Sequence, residues 1–517
     1  MSPATPTTGP RALPPVLGRL MSGTFWLALR TPLQVIVAFW SIPLIQHAIG
    51  RELNGAYVFA WGFGFLQFLL EFGMSSALQR QVSETWTRDD REGTDRAIAC
   101  GMAFYAVMAV VQAAVLLSIA YITVPYTTFG PEGRRLIVRL LWLQAVTAPC
   151  YGLATVVSSV LQAARRYDVI PKLELLILLL RFAILVVGLS LGFGIFPIVA
   201  AQTAAQVVLS MGPAIWIMVR ELGVIPKFVK VHRSDFLMLL RVSFYVFLIQ
   251  LSVVLADKLD TTVLGYALPK GGDTALTIYQ NVSKPFLQIR QTGWMLSFLV
   301  MPAVASLAAA HDERGLERIK YDGSRMLIGL LLPITLLAWI YARPFLAVWI
   351  DPAMAANYRL LRLFLIATMP LVLSVLVQMA IGMGKVEVIA LAALAGAVVN
   401  LPLSYVLTLK HGVAGVIWGT VLTTLVSNLL VPGLYCMRAL DVRLSTFLKR
   451  ALGAPMMGAV VLLLATWAFH LVISPELHEG SRLVRLPPFL AHLSVGVLAY
   501  LIGYSLVPVG RADLADV

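Results

Sequence analysis

Apolar windows of about 20 residues recur along almost the whole chain, from Met21 to Val507. Each window is long enough for one helix to cross the hydrocarbon core of a bilayer. Only 13% of the residues are charged and the mean hydropathy is +0.84, whereas soluble domains average about 25% charged residues. The sequence therefore predicts an all-α polytopic membrane protein.

The apolar runs and the polar breaks between them predict about fourteen transmembrane helices. The predicted spans are 22–46, 55–79, 97–124, 136–161, 173–192, 196–219, 236–267, 275–309, 325–349, 358–383, 386–408, 412–437, 451–473 and 488–508. We expect a disordered cytoplasmic tail at 1–20, an N-lobe of six helices at 21–220, an amphipathic cytoplasmic linker at 221–235, a C-lobe of six helices at 236–438, and two extra helices with a short C-terminus at 439–517. The two lobes would be related by pseudo-two-fold symmetry.

The basic residues predict the orientation. Lys and Arg number 40 and the net charge is +14. With both termini in the cytoplasm, inner loops hold roughly twice as many of these residues as outer loops, as the positive-inside rule requires. The charge is thereby explained without a nucleic-acid partner. The three cysteines lie far apart and lack metal-ligand spacing, so neither a disulfide framework nor a metal site is predicted.

One segment of the first half resembles a known family. "IGRELNGAYVFAWGFGFLQFLLEFGMSSALQRQVSE", residues 49–84, is similar to the polysaccharide-exporter branch of the multidrug/oligosaccharidyl-lipid/polysaccharide superfamily. The second-half segments "DKLDTTVLGYAL", "TALTIYQNVSKPF" and "MPAVASL" resemble the same branch, and the resemblance covers roughly residues 20–440. The matching positions of the first segment are Gly50, Gly55, Tyr57, Glu71, Gly73, Ala77, Leu78, Arg80 and Ser83.

The resemblance implies a flippase of the Wzx type. Such a protein moves an undecaprenyl-pyrophosphate-linked oligosaccharide, the repeat unit of an O-antigen of lipopolysaccharide, a capsule or an exopolysaccharide, across the bacterial inner membrane. It works by alternating access around a cationic cavity, and the last two helices pack outside the twelve-helix core. We expect a monomer among membrane lipids, with a polysaccharide polymerase and glycosyltransferases as partners. No cofactor is expected, but a proton gradient, a sodium gradient or the membrane potential could be coupled to transport.

Charged residues inside predicted spans supply the candidate site. A pyrophosphate requires fixed positive charge, and ionisable residues in a membrane normally face a bundle interior or a wet cavity. Arg30 has an alternative interpretation as the ion-pair partner of Glu71. The candidate substrate-binding cations are Arg30, Arg181, Lys258, Lys284 and Arg290.

Polar side chains of the eighth span form a stripe at helical spacing, at Gln280, Lys284, Gln288 and Gln291. Together with Gln34 of the first span, the glutamines are predicted to form a polar cavity wall. Asp257 and Asp260 share a face of the seventh span. These two carboxylates, and Glu71, are candidates either for ion pairs, with Lys284 as the partner of the two aspartates, or for a coupling site.

Two competing functions within the superfamily remain open, a lipid II flippase and a cation-coupled multidrug exporter. The exporter predicts a cavity dominated by carboxylates and aromatic rings, whereas the spans here carry more cations than carboxylates. A membrane glycosyltransferase or polymerase would usually carry a large outer loop with catalytic residues. The longest predicted outer loops, 125–135 and 474–487, are short, so the sequence predicts a transporter and not an enzyme.

Overall fold

A computed structural model describes residues 16–515, apart from 225–250, 252–259, 269–271, 473–481 and shorter gaps at 65, 68–70, 73, 89, 128, 165, 167–168, 299, 301–303, 305–306, 308–310, 384 and 386. Residues 1–15 of the predicted tail and 225–235 of the predicted linker lie outside the described residues. Every regular element among the described residues is helical.

The α-helices, numbered in chain order, are α1 Val16–Gly62, α2 Met74–Thr87, α3 Arg91–Ser118, α4 Pro131–Ala163, α5 Val169–Ser190, α6 Ile195–Arg220, α7 Asp260–Ala267, α8 Gly272–Phe298, α9 Glu313–Arg318, α10 Ser324–Ile340, α11 Ala342–Trp349, α12 Tyr358–Ile366, α13 Ser374–Gly382, α14 Glu387–His411, α15 Val413–Thr424, α16 Val431–Ala439, α17 Leu444–Arg450, α18 Gly453–Val472, α19 Arg482–Ser505 and α20 Pro508–Ala515. Short π-helical turns occupy Ile119–Thr123, Ile319–Gly323 and Leu425–Leu430, and 3₁₀ turns occupy Val124–Tyr126, Met354–Asn357 and Met369–Leu373.

Eleven stretches within the described residues are long and apolar enough to cross a membrane. They correspond to all the predicted spans except the second, the seventh and the eighth. Most of the seventh span lies outside the described residues. The eighth, α8, has 27 residues and is long enough to span the bilayer at about 1.5 Å per residue, but it is not among the eleven. Its polar stripe accounts for the difference.

The first two predicted spans are joined without a loop. The stretch Val16–Gly62 contains one non-helical residue, Gly50, with φ 77° and ψ 168°. A residue with a Cβ atom rarely adopts that backbone conformation, and glycine adopts it at little steric cost. Gly50 therefore marks the turn that the motif at 49–57 predicted.

The second span is not the continuous helix over 55–79 that the hydropathy predicted. Helix α1 ends at Gly62, turns occupy 63–64 and 71–72 with the helical Leu66 and Gln67 between them, and α2 begins at Met74. Phe72 has φ 54°, which is a strained conformation for a bulky aromatic residue. Hydropathy responds to side-chain polarity and not to backbone breaks, so it could not reveal this interruption.

The chain divides into two compact units. The first unit comprises 1–49, 63–125 and 135–250. Its apolar core is built from α2, α3, α4 and α6 and includes Met74, Leu78, Phe104, Val160 and Met218. Gly152 of α4 lets α3 approach closely, since a Cβ atom there would lie 2.7 Å from the Cβ of Tyr105.

The second unit comprises 50–62, 126–134 and 251–517. The final helices α18 and α19 pack against α10 in a cluster that includes Leu337, Leu462 and Tyr500. Beyond them, Asp513 of α20 accepts from the Arg325 guanidinium through both carboxylate oxygens, at 2.7 Å each. Burial of Asp513 works to raise the pKa of its carboxyl, but the hydrogen bonds from Arg325 and Tyr504 outweigh burial and hold that pKa below the ordinary value.

Candidate functional site

Glu71 lies in the interruption of the second span, inside the first unit. It lines a small cavity of about 40 Å³. The polar members of the lining are Gln67, Glu71, Tyr105, Gln112, Tyr151 and Thr155, and the rest are Met108, Ala109, Ala148 and Gly152. We call this the Glu71 pocket. Its walls are α3, α4 and the broken second span, and no described lining residue carries a positive charge.

Arg30 does not pair with Glu71, so that alternative was wrong. Its guanidinium Nη1 lies 2.8 Å from the Glu174 Oε2 of α5, and both side chains are partly exposed. The interruption of the second span carries Glu71 into the wall beside α3 and α4, whereas α5 presents Glu174 to Arg30. The fold thus pairs Arg30 with Glu174 and places Glu71 among the residues that line the pocket.

Arg181 of α5 faces α6. It donates from Nη1 to the Gln206 side-chain oxygen at 3.0 Å, and its own carbonyl accepts from Gln202 Nε2 at 2.7 Å. It also lies close enough to Tyr151, on the rim of the Glu71 pocket, to act electrostatically on that phenol. Arg181 is half-buried, with a neutral hydrogen-bond partner instead of a carboxylate.

The polar stripe predicted for α8 lies on the least buried face of that helix within the second unit. Lys284 and Gln291 are exposed, while Gln280 and Gln288 are half-buried. The opposite face carries the buried Val282, Phe286 and Ile289. Arg290 belongs to neither row, and its guanidinium lies over the Phe286 ring at 5.1 Å from the centroid, which is cation–π geometry.

Asp260 is buried at the start of α7. Its Oδ2 accepts from the Tyr279 hydroxyl at 2.7 Å and from the Thr420 hydroxyl at 2.9 Å. Asp257 and Lys258 lie outside the described residues, and the predicted pairing of the two aspartates with Lys284 stays a prediction. Gln34 is exposed on α1.

Several polar partners were missed by the sequence analysis. Arg51 donates from Nη2 to both carboxylate oxygens of Asp351, at 2.8 and 3.0 Å. Asn54 donates to the Gln280 side-chain oxygen at 3.0 Å, so one member of the stripe is tied to the segment 50–62. Tyr105, Tyr279 and Thr420 were also missed, because a single hydroxyl on an apolar helix carries no sequence signal.

The order of helices and the eleven apolar stretches define a multi-pass α-helical membrane protein. Residues 20–307 match the family model described as polysaccharide biosynthesis protein. Because the match covers more than half of the chain, the protein belongs to that family. The family resemblance and the fold class predicted from the sequence are therefore confirmed. No curated protein matches the sequence.

Solved structures of the same fold include two kinds of transporter. The lipid II flippase MurJ, in an inward closed conformation, has 15% identity and a TM-score of 0.70, with 93% of this chain and 98% of that chain covered. A multidrug resistance MATE family transporter of the MOP superfamily, in an inward-facing conformation, has 16% identity and a TM-score of 0.65, with 79% and 95% covered. At these identities the likeness shows the shared fold.

Proposed function

We propose that this protein is a flippase that moves an undecaprenyl-pyrophosphate-linked oligosaccharide from the inner to the outer leaflet of a bacterial inner membrane. The substrate would be the repeat unit of an O-antigen, a capsule or an exopolysaccharide, and both termini would lie in the cytoplasm. Membership of the polysaccharide biosynthesis family supports the sugar-linked substrate. The shared fold with a lipid II flippase supports transport of a lipid-linked precursor.

The polarity of α8 is the observation that carries the proposal. A helix of 27 residues with Lys284, Arg290 and three stripe glutamines is unfavourable against lipid, because each basic residue near the bilayer centre costs about 2.5–3.5 kcal/mol on insertion scales. Such a helix is stable in a membrane only where its polar face meets water, protein or a polar solute. A path for a charged glycolipid head group provides that environment.

The cations fit the head group chemically. A pyrophosphate is bound best by charge-assisted hydrogen bonds, and arginine can contact two of its oxygens at once. Arg290 is held against the Phe286 ring, which limits its motion. Arg181, whose hydrogen-bond partner is neutral, would supply further positive charge, whereas the charge of Arg30 is partly offset by Glu174. The amides of the stripe would donate to and accept from sugar hydroxyls, while the prenyl tail stays in the bilayer.

Alternating access around this head group would need a source of free energy to run in one direction. A proton gradient, a sodium gradient or the membrane potential would supply it. The glycosyltransferases that assemble the repeat unit and the polymerase that consumes it would be the functional partners.

Complementation of a bacterial strain that lacks its polysaccharide flippase tests the proposal. The wild-type chain should restore surface polysaccharide and prevent accumulation of the lipid-linked intermediate. Arg290→Ala should reduce export at least about tenfold, which corresponds to about 1.4 kcal/mol, and Arg290→Lys should retain part of it. Arg359→Ala is the matched control, since Arg359 is exposed and stacks on Tyr358.

The same experiment separates the competing functions. Rescue of a strain depleted of its lipid II flippase, without rescue of polysaccharide export, would replace our proposal with the lipid II alternative. Increased drug resistance as the sole phenotype would favour the multidrug exporter. Normal export by Arg290→Ala and Arg30→Ala at wild-type protein levels would contradict the cationic site.

A further inference from the structure

The Glu71 pocket combines an ionisable group with a broken transmembrane helix. Helix α1 ends at Gly62, turns at 63–64 and 71–72 lie on either side of the helical Leu66 and Gln67, and Phe72 next to Glu71 holds a positive φ of 54°. Strained backbone of this kind persists where the surrounding structure holds it, frequently at ligand sites. Discontinuous membrane helices also recur where transporters bind ions, because they free polar groups at membrane depth.

A second observation points into the same cavity. Tyr105 is 7% exposed and lines the pocket. Its hydroxyl is buried, and no described residue forms a hydrogen bond with it. Leaving a buried hydroxyl without a partner costs about 1–3 kcal/mol. The oxygen atom therefore lacks a described protein partner, and it lies within electrostatic reach of Glu71.

The size of the pocket limits the ligand. Its volume of about 40 Å³ exceeds the 10–15 Å³ or so that one water molecule needs, so two or three water-sized particles fit. A sugar, a pyrophosphate or a drug does not. The donors are oxygen atoms of a carboxylate, two amides and three hydroxyls, a set that suits a hard cation and not a soft metal.

The net charge of the pocket residues indicates whether a monovalent or a divalent cation fits. Glu71 is the one carboxylate among the described lining residues, and no described residue of the pocket is basic. Around it stand the titratable phenols Tyr105 of α3 and Tyr151 of α4, with Arg181 of α5 behind Tyr151. Among the described residues no group of three histidine, cysteine or acidic side chains is placed to hold a metal ion. One monovalent cation neutralises one carboxylate, whereas a divalent ion would leave a net positive charge.

We propose that the Glu71 pocket binds one monovalent cation, either a sodium ion or a proton, and that this ion is coupled to the transport cycle of the proposed flippase. Both ions remove the unfavourable charge of Glu71 inside the membrane. Tyr105 and the amides of Gln67 and Gln112 complete the oxygen shell, directly or through water. The coupling part of this inference rests on the proposed function, whereas the binding part does not.

Binding is measured on the purified full-length protein in lipid nanodiscs without any oligosaccharide, so the result is independent of flipping activity. The sodium arm uses ²²Na⁺ in a scintillation proximity assay with unlabelled sodium as competitor. The proton arm uses infrared difference spectroscopy to detect the band of a protonated carboxyl as pH is changed. The variants are Glu71→Gln, Glu71→Asp and Tyr105→Phe. Glu92→Gln removes an exposed carboxylate of the same unit and serves as the control.

A sodium site predicts saturable ²²Na⁺ binding that falls at least about tenfold in Glu71→Gln and several-fold in Tyr105→Phe, with Glu92→Gln unchanged. A proton site predicts no specific sodium binding, but a protonated-carboxyl band that Glu71→Gln lacks and Tyr105→Phe shifts. Wild-type behaviour of Glu71→Gln in both arms overturns the proposal. If Glu71→Gln does not fold, Glu71→Asp and Tyr105→Phe decide, and unchanged binding and spectra in both overturn it.

Discussion

Two carboxylates of predicted spans, one in each compact unit, have contrasting surroundings. Asp260 of the second unit is buried, and two hydroxyls, from Tyr279 and Thr420, donate to a single one of its oxygens. Glu71 of the first unit lines a cavity together with Tyr105, whose buried hydroxyl has no described partner. The comparison shows that an acidic residue in a membrane helix can act as a cross-link between helices or can be kept accessible to a ligand.

The tyrosines near the two carboxylates, Tyr279 and Tyr105, differ in whether their hydroxyl groups form hydrogen bonds. The Tyr279 hydroxyl is 2.7 Å from Asp260, whereas the Tyr105 hydroxyl is buried without a described partner. Because each Tyr→Phe substitution removes one oxygen atom from a buried ring, the two substitutions form a matched pair. Two predictions on the buried Asp513–Arg325 pair of the second unit and two on these tyrosines are ordered from the largest expected effect to the smallest.

Substitution of Asp513, which contacts Arg325 and Tyr504 in the second unit, should have the largest effect on stability. Asp513→Asn removes the charge that faces the buried Arg325, which is 5% exposed. Breaking a buried pair on one side typically costs about 3–5 kcal/mol, and Asp322 still contacts Arg325, so we expect a loss of about 3 kcal/mol in the free energy of unfolding. Equilibrium unfolding of the purified protein in detergent measures it.

The control for Asp513→Asn is Glu317→Gln, which breaks an exposed pair with Arg450 at 2.9 Å. An exposed pair contributes at most about 1 kcal/mol. Equal losses in the free energy of unfolding of the two variants would mean that burial does not strengthen the Asp513–Arg325 contact.

Acidification should weaken the same contact. The pKa of Asp513 lies below its ordinary value of 3.8, so the native state binds a proton less readily than the unfolded state. The contribution to stability is then complete above about pH 3.8 and is lost as pH falls through the lowered native pKa. Unfolding measured between pH 6 and 3 should show a decline that Asp513→Asn lacks.

Tyr279→Phe should have an intermediate effect. The substitution leaves the buried Asp260 carboxylate with one hydroxyl donor fewer, and a hydrogen bond to a charged group contributes about 1.5–3 kcal/mol. We expect a loss of about 2 kcal/mol in the free energy of unfolding. A loss below about 0.5 kcal/mol would show that Asp260 is stabilised mainly by other groups.

Tyr105→Phe should have the smallest effect on stability. Since its hydroxyl makes no described hydrogen bond, we expect a change of less than about 0.5 kcal/mol in sodium-free buffer, or a slight gain. The value is compared with that for Tyr279→Phe under identical conditions. A loss as large as that of Tyr279→Phe would show that the two carboxylates are held alike.

The general architecture followed from hydropathy, because lipid imposes helices of nearly constant length on any chain that crosses it. Eleven of the fourteen predicted spans correspond to stretches of the structure that are long and apolar enough to cross a membrane. The turn at Gly50 was also predictable, since glycine and short polar loops have recognisable patterns. The stripe of α8 followed from helical periodicity alone.

The partners of individual charges did not follow from the sequence. Arg30 pairs with Glu174, 144 positions away along the chain, and not with Glu71, which lies at the turn 71–72 beside residues of α3 and α4. Helical periodicity assumes an unbroken helix and cannot anticipate such a turn. The hydroxyls that hold Asp260 come from two other helices and carry no signal of their own.

By itself, therefore, the sequence determined that this protein is a multi-pass α-helical membrane protein of a polysaccharide biosynthesis family, with a charged helix among its spans. Those properties depend on composition and on local periodicity, and both can be recognised within windows of about 20 residues. Only the tertiary structure decided how Arg30, Asp260 and Asp513 are paired, because their partners Glu174, Thr420 and Arg325 lie on helices distant in sequence. For that reason Asp260 is a cross-link, while Glu71 lies beside an open cavity.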